Sequence, residues 1–150
     1  MREIIFRGKR VDNGAWVEGF YTMTSFGNGF SPSIIVFNGG STMPHKVLPE
    51  TVGQYTGLKD RNGKMIFEGD IVTGYYHNLR VDYSGGGVVE WGYTSDSDGF
   101  ECGETVGWVL SNGSSLADVV HSTYPREEEN STEIIGNIHE NPKLQEVFNV

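Results

Sequence analysis

The chain has 150 residues with 11 basic and 20 acidic side chains, a formal net charge of -9. That acid excess repels a phosphate backbone, so direct nucleic-acid binding is not expected, and no apolar run approaches the ~20 residues of a membrane-crossing helix. The single cysteine, Cys102, has no partner for an internal disulfide, while 21 Gly, 3 Trp, 7 Tyr and 8 Phe suit a mainly β protein of the cytoplasm with many short strands and turns.

In chain order, "REIIFRGKRV" and "AWVEGFYTM" alternate apolar and polar residues on either side of Asn13-Gly14, a dipeptide that accepts positive φ, and predict an N-terminal β-hairpin. "TSFGNGFSPS" reads as a loop, "IIVFN" as a short buried strand and "GGSTMPHK" as a second loop. "VLPETVGQYTGL" reads as extended throughout, given Pro49, Thr51 and Val52. "KDRNGK" places another Asn-Gly turn before "MIFEGDIVTGYY", in which Gly69-Asp70 looks like a tight bend feeding a strand from Ile71 to Tyr76.

Further on, "GGGVVEWGYTSD" puts Val89, Trp91 and Tyr93 on one face by period two, "SDSDGFECGE" turns the chain, and "VGWVL" offers another strand. Residues 111 to 133 are polar, Ser-rich and interrupted by Pro125. There "SSLADVVHSTY" fits either a short helix capped by Ser114 or Ser115 or, the preferred reading, a strand on "DVVHSTY", followed by a solvated loop tip at 127–130. "TEIIGNIH" returns to strand, and Asn141 as N-cap with Pro142 at the first helical position predicts a short C-terminal helix.

Tyr55, Lys59, Asp60, Glu68 and Asp70 include the residue types of an acid, a base and an oxyanion partner. No nucleophile is paired with a base there, however, and Asp60, Asn62 and Gly63 are turn chemistry, while Asp70 suits a cap on a bend entering a strand. The histidines at 45, 77, 121 and 139 show no metal-ligand spacing. Asp96, Asp98 and Glu101 echo a calcium loop without its register. The glycines of "SGGGVVEW" precede a strand instead of joining strand to helix, which favours a bulge or flexible entry over a phosphate cradle. No Ser lies in a GxSxG context. Trp16, Phe20, Trp91, Tyr93 and Trp108 read as core or half-exposed wall, with stacking of a base or peptide as the functional alternative. No catalytic residue, metal or organic cofactor is expected.

Three blocks, "REIIFRGKR" with "NGAWVEGF", "TVGQYTGLKDRNGKMIFEGDIV", and "EIIGNIHENPKL", together resemble the YopX family of bacteriophage and prophage proteins. Gln54, Tyr55, Thr56, Gly57, Gly63, Glu68, Gly69 and Asp70 of the central block, with Gly136, Asn137, Asn141 and Pro142 of the closing one, carry the resemblance. It implies an SH3-like barrel with an additional N-terminal hairpin region, and a phage or prophage origin in a bacterial host cell. It supplies no catalytic residue, cofactor or ligand, and residues 73–133 follow no pattern tied to the family.

The whole chain reads as a single domain, 1–150, with two β subdomains at about 1–58 and 59–150 as the finer division. The expected role is that of a phage or prophage accessory protein holding an unknown protein partner of host or phage by a barrel groove or strand edge. Acidic mimicry of nucleic acid that occupies a host DNA-binding protein, and an enzyme, are the alternatives. A homo-oligomer is expected from strand edges that Lys9, Arg10 and Pro49 only partly block.

Overall fold

Alternation about Asn13-Gly14 produces the first hairpin: β1 (Phe6–Lys9) and β2 (Trp16–Ser25) run antiparallel with Phe6 opposite Gly19 and Lys9 opposite Trp16. The Asn13 carboxamide oxygen accepts the Ala15 amide at 3.0 Å, closing the turn locally. The computed structural model describes residues 3–38, 41–77, 82–94, 105–121 and 131–148. The protein is mainly β, with antiparallel sheets of six and four strands and short helices. It divides into two compact units, Met1–Tyr55 and Thr56–Val150.

In the first unit, β3 (Phe30–Asn38) and β4 (Ser41–Lys46) extend the hairpin, and the start of β5 (Gly53–Lys59) pairs with β1 on its other side. Two expected loops are therefore largely strand. "TSFGNGFSPS" loops only at 26–29, and "STMPHK" is an edge strand despite its proline. The Lys46 carbonyl faces away from β3 and accepts the Val11 amide at 3.0 Å, whereas the Val47 amide faces β3 and donates to Pro32. By the two-residue period Pro44 also turns its missing N–H outward, where no ladder bond is lost. Ile34 and Val47 form the unit's buried apolar centre. The run expected to be wholly extended contains a 3-10 turn at Pro49–Thr51. Pro49 presets φ at its first position, and Thr51 returns both its amide and its hydroxyl to the Leu48 carbonyl.

The second unit begins with the remainder of β5 and with β6 (Met65–Phe67). Its four-stranded sheet has the order β10-β7-β8-β9, built from β7 (Asp70–His77), β8 (Asp82–Thr94), β9 (Thr105–Leu110) and β10 (Glu133–Asn137). The described residues form no closed barrel, since β10 and β9 stand at opposite edges of this sheet. Ile66, Val72, Val89, Leu110, Leu116, Val119 and Val120 make the core, with Leu58, Trp108 and Ile134 packed against it. Each such aliphatic side chain contributes about 1.5–3 kcal/mol when fully buried.

Leu116 to Val120 is a helix, α1, where a strand on "DVVHSTY" was expected; residues 122–124 of that stretch lie outside the described residues. The helical spacing of Leu116, Val119 and Val120 places all three in the core, a result that period two could not give. Ser115 caps the helix by accepting the Asp118 amide at 3.4 Å. The acidic turn 95–104, with its calcium-like carboxylates and Cys102, and the loop tip 127–130 also lie outside the described residues.

The glycines of "SGGGVVEW" make neither a bulge nor a loose entry. Gly85, Gly86 and Gly87 pair in unbroken register with Gly74, Thr73 and Val72. A Cβ on Gly86 would fall 2.2 Å from the Val72 carbonyl oxygen, and one on Gly87 would fall 2.9 Å from Leu110 Cβ. Close packing requires glycine at both positions. The expected C-terminal helix is present as α2 (Pro142–Phe148). Among the described residues no helix is long and apolar enough to cross a membrane.

Candidate functional site

The residues that looked most like chemistry are held by backbone amides. In the first unit Gln54 lies opposite Phe6, and the buried Tyr55 donates its amide to Ile5 at 2.8 Å. Burial, assisted by the nearby Glu3 carboxylate, raises the Tyr55 phenol above its ordinary value.

In the second unit Thr56 uses its hydroxyl twice, donating to the Ile66 carbonyl at 2.8 Å and accepting the Leu58 amide at 3.2 Å. Gly57 and Gly63 have φ of 88° and 76°. Asp60 is buried, not the exposed turn residue its sequence context suggests. One oxygen accepts the amides of Asn62 and Lys64, both at 2.9 Å, and the other accepts the amide of Ile134 at 3.3 Å. The Arg61 amide donates to Thr132 at 2.7 Å, so the turn is stitched to β10 and to the residue just before it.

At the next bend Glu68 is half-buried, and Asp70, only 1% exposed, accepts the Phe67 amide at 2.8 Å. Gly69 has φ of 81°, which a side chain resists. Its amide donates to Val89 at 2.8 Å and its carbonyl accepts the Ile138 amide at 3.0 Å. The closing block meets the central one here, with Asn137 opposite Asp70, Gly136 opposite Ile71, and a register shift between Ile134 and Gly136. The Asn137 side-chain oxygen accepts the amides of His139 and Glu140, both at 3.0 Å. Asn141 precedes Pro142 at the helix start as expected, but its side chain turns back to accept the Asn137 amide at 3.2 Å. A Cβ on Gly136 would lie 2.5 Å from that same Asn141 oxygen. The polar groups of the motif knot distant segments together.

Among the described residues no three His, Cys, Asp or Glu side chains converge as metal ligands. A groove of about 350 Å³ in the first unit lies between Arg10, Phe26, Met43 and Lys46. Its charges are engaged locally. Arg10 pairs with Asp12, whose carboxyl is held below its ordinary value chiefly by that hydrogen bond, and the Lys46 ammonium lies 4.4 Å from the centre of the Phe26 ring.

The β8–β9 hairpin is different. Val89 and Leu110 pair in the core, and the same face continues outward through Trp91 opposite Trp108 and Tyr93 opposite Val106. Trp91 is 54% exposed, Tyr93 66% and Val106 49%, while Trp108 is half-buried and meets Trp91 edge-to-face at 5.0 Å. On the reverse side Gly92 faces Gly107, and a Cβ on Gly107 would touch nothing within 4 Å. The strand pair therefore carries one exposed aromatic face, with a reverse side that is open at Gly107 and close-packed at Gly92, where a Cβ would lie 3.2 Å from Val109. Period two placed Val89, Trp91 and Tyr93 on one face, but it carried no signal for the depth at which that face leaves the core, and Val106 escaped notice. Trp16, by contrast, is covered by its own chain, with the Arg7 guanidinium 4.8 Å and the Lys9 ammonium 5.5 Å from its ring. Phe20 is about half exposed on β2.

These features define an antiparallel β protein in which a buried polar knot holds the second unit and the β8–β9 pair carries an exposed aromatic face. The family model described as YopX protein matches residues 6–146, and the chain belongs to the YopX family. Among solved structures it is similar to the crystal structure of protein EF1440 from Enterococcus faecalis. The two share 22% identity over 97% of this chain and 99% of that one, with a TM-score of 0.46. No curated protein matches the sequence.

Proposed function

We propose that the protein is a non-enzymatic protein-binding module, a phage or prophage accessory protein that docks a host or phage partner on the outer end of the β8–β9 hairpin. One observation carries this reading: Trp91, Tyr93 and Val106 stand exposed on a strand face whose inner half is core. Large aromatics held on a rigid element are the side chains that dominate binding energy at protein interfaces. An enzyme has less support, because the Asp60 and Asp70 carboxylates are buried against backbone amides. Self-association by strand pairing also has less support at the β4 edge, where Pro44 removes an outward donor.

The finer fold reading belongs here too. The second unit is taken as an open SH3-like barrel, supported by the Gly69–Asp70 corner and the irregular register of β10, and the whole chain as one functional domain, supported by the span of the family match over residues 6–146. Charge favours one second reading, acidic mimicry of nucleic acid, because 16 of the 20 acidic residues fall in Thr56–Val150 against 6 basic ones. Photo-crosslinking in the host cell separates these. A crosslinker replacing Tyr93 should trap a discrete protein and one replacing Gly107 should not. Equal yields from both positions, or none from either, refute the docking face, and capture that is lost on raising salt regardless of position supports mimicry.

A further inference from the structure

An exposed indole with an exposed phenol two residues along the same strand face is a surface for cations as well as for apolar groups. The negative ring faces attract a guanidinium, more strongly where water is excluded. The same chain makes this contact elsewhere, at Arg7 over Trp16. Among the described residues no cation lies over Trp91, Tyr93 or Trp108. The charge of the unit selects in the same direction, because Thr56–Val150 carries 16 acidic and 6 basic residues.

On the docking reading above, we propose that the partner presents a cationic segment whose arginine side chains stack on Trp91 and Tyr93. A second copy is the wrong occupant, since it would bring the same acidic excess of Thr56–Val150 against itself. Arginine is favoured over lysine because its guanidinium is planar and weakly hydrated, and it stacks on a ring where a hydrated ammonium acts as a point charge.

The test uses the full chain and short labelled peptides of alternating Arg/Ser, Lys/Ser, Glu/Ser and Leu/Ser, with fluorescence anisotropy as readout. The Arg peptide should bind about tenfold more tightly than the Lys peptide, equivalent to about 1.4 kcal/mol. Trp91→Leu and Tyr93→Ser should erase that preference while preserving the melting curve, and Gly107→Ser on the back should leave it intact. Equal Arg and Lys affinities, or a preference that survives both strip substitutions, overturn the inference. Tightest binding of the Glu or Leu peptide, with sensitivity to Trp91→Leu, overturns the cationic partner and leaves the docking face standing. If no peptide responds to Trp91→Leu, both readings fall.

Discussion

Removing the Asp70 carboxylate tests whether this conspicuous acid serves the fold. Asp70→Ala takes the acceptor from the Phe67 amide, a bond of 2.8 Å at a site where Asp70 is 1% exposed and Phe67 2%. Water has no ready access to replace it, so the amide is left with the desolvation penalty of an unsatisfied buried donor, about 1–3 kcal/mol. The loss falls between β6 and β7, beside the Gly69 bonds to Val89 and Ile138, so it should loosen the knot without removing apolar core. In a denaturant melt the midpoint should drop while the slope stays near the parent's, because stability changes more than exposed area. Asp70→Asn, which retains an acceptor oxygen, should recover part of the loss. If Asp70→Ala melts with the parent, the structural role is refuted and Asp70 becomes a residue to examine for function.

Gly69→Val should cost about 1–3 kcal/mol, because φ of 81° is strained for a branched residue, and the same denaturant series measures it. Asp60→Ala should cost about 1–3 kcal/mol by stripping an acceptor from Asn62, Lys64 and Ile134, whereas Lys59→Ala on the exposed surface should stay within about 0.5 kcal/mol; equal costs would refute the assigned roles. Tyr55 has a raised folded pKa, so its stabilising contribution is fully present below the ordinary tyrosine value near 10 and is lost as pH rises through the folded value. Alkaline melts of the parent against Tyr55→Phe should show that loss in the parent only.

Much of the local fold is legible in the residues themselves. Asn13-Gly14 marks the first hairpin because its turn tolerates positive φ, and alternation on both sides places the strand faces. Pro142 after Asn141 marks the last helix by the same kind of local preference. Depth and long-range pairing are not local. Asp60 reads as exposed turn chemistry until Ile134, 74 residues later, donates to it. "LADVV" becomes a helix because three of its apolar residues find one core, and Gly86 and Gly87 are needed by neighbours that no short window contains.

By itself the sequence determined a mainly β chain with its turns, since propensity, turn chemistry and period two act over a few residues at a time, and its resemblance to a family marked the residues of the motif. Tertiary structure decided what those residues do. Only when β10 pairs with β7 do Gly69 and Ile138 meet and bury the motif's polar groups against amides. Only the end of the packed core separates Val89, fully buried, from Trp91 two residues along the same face and more than half exposed.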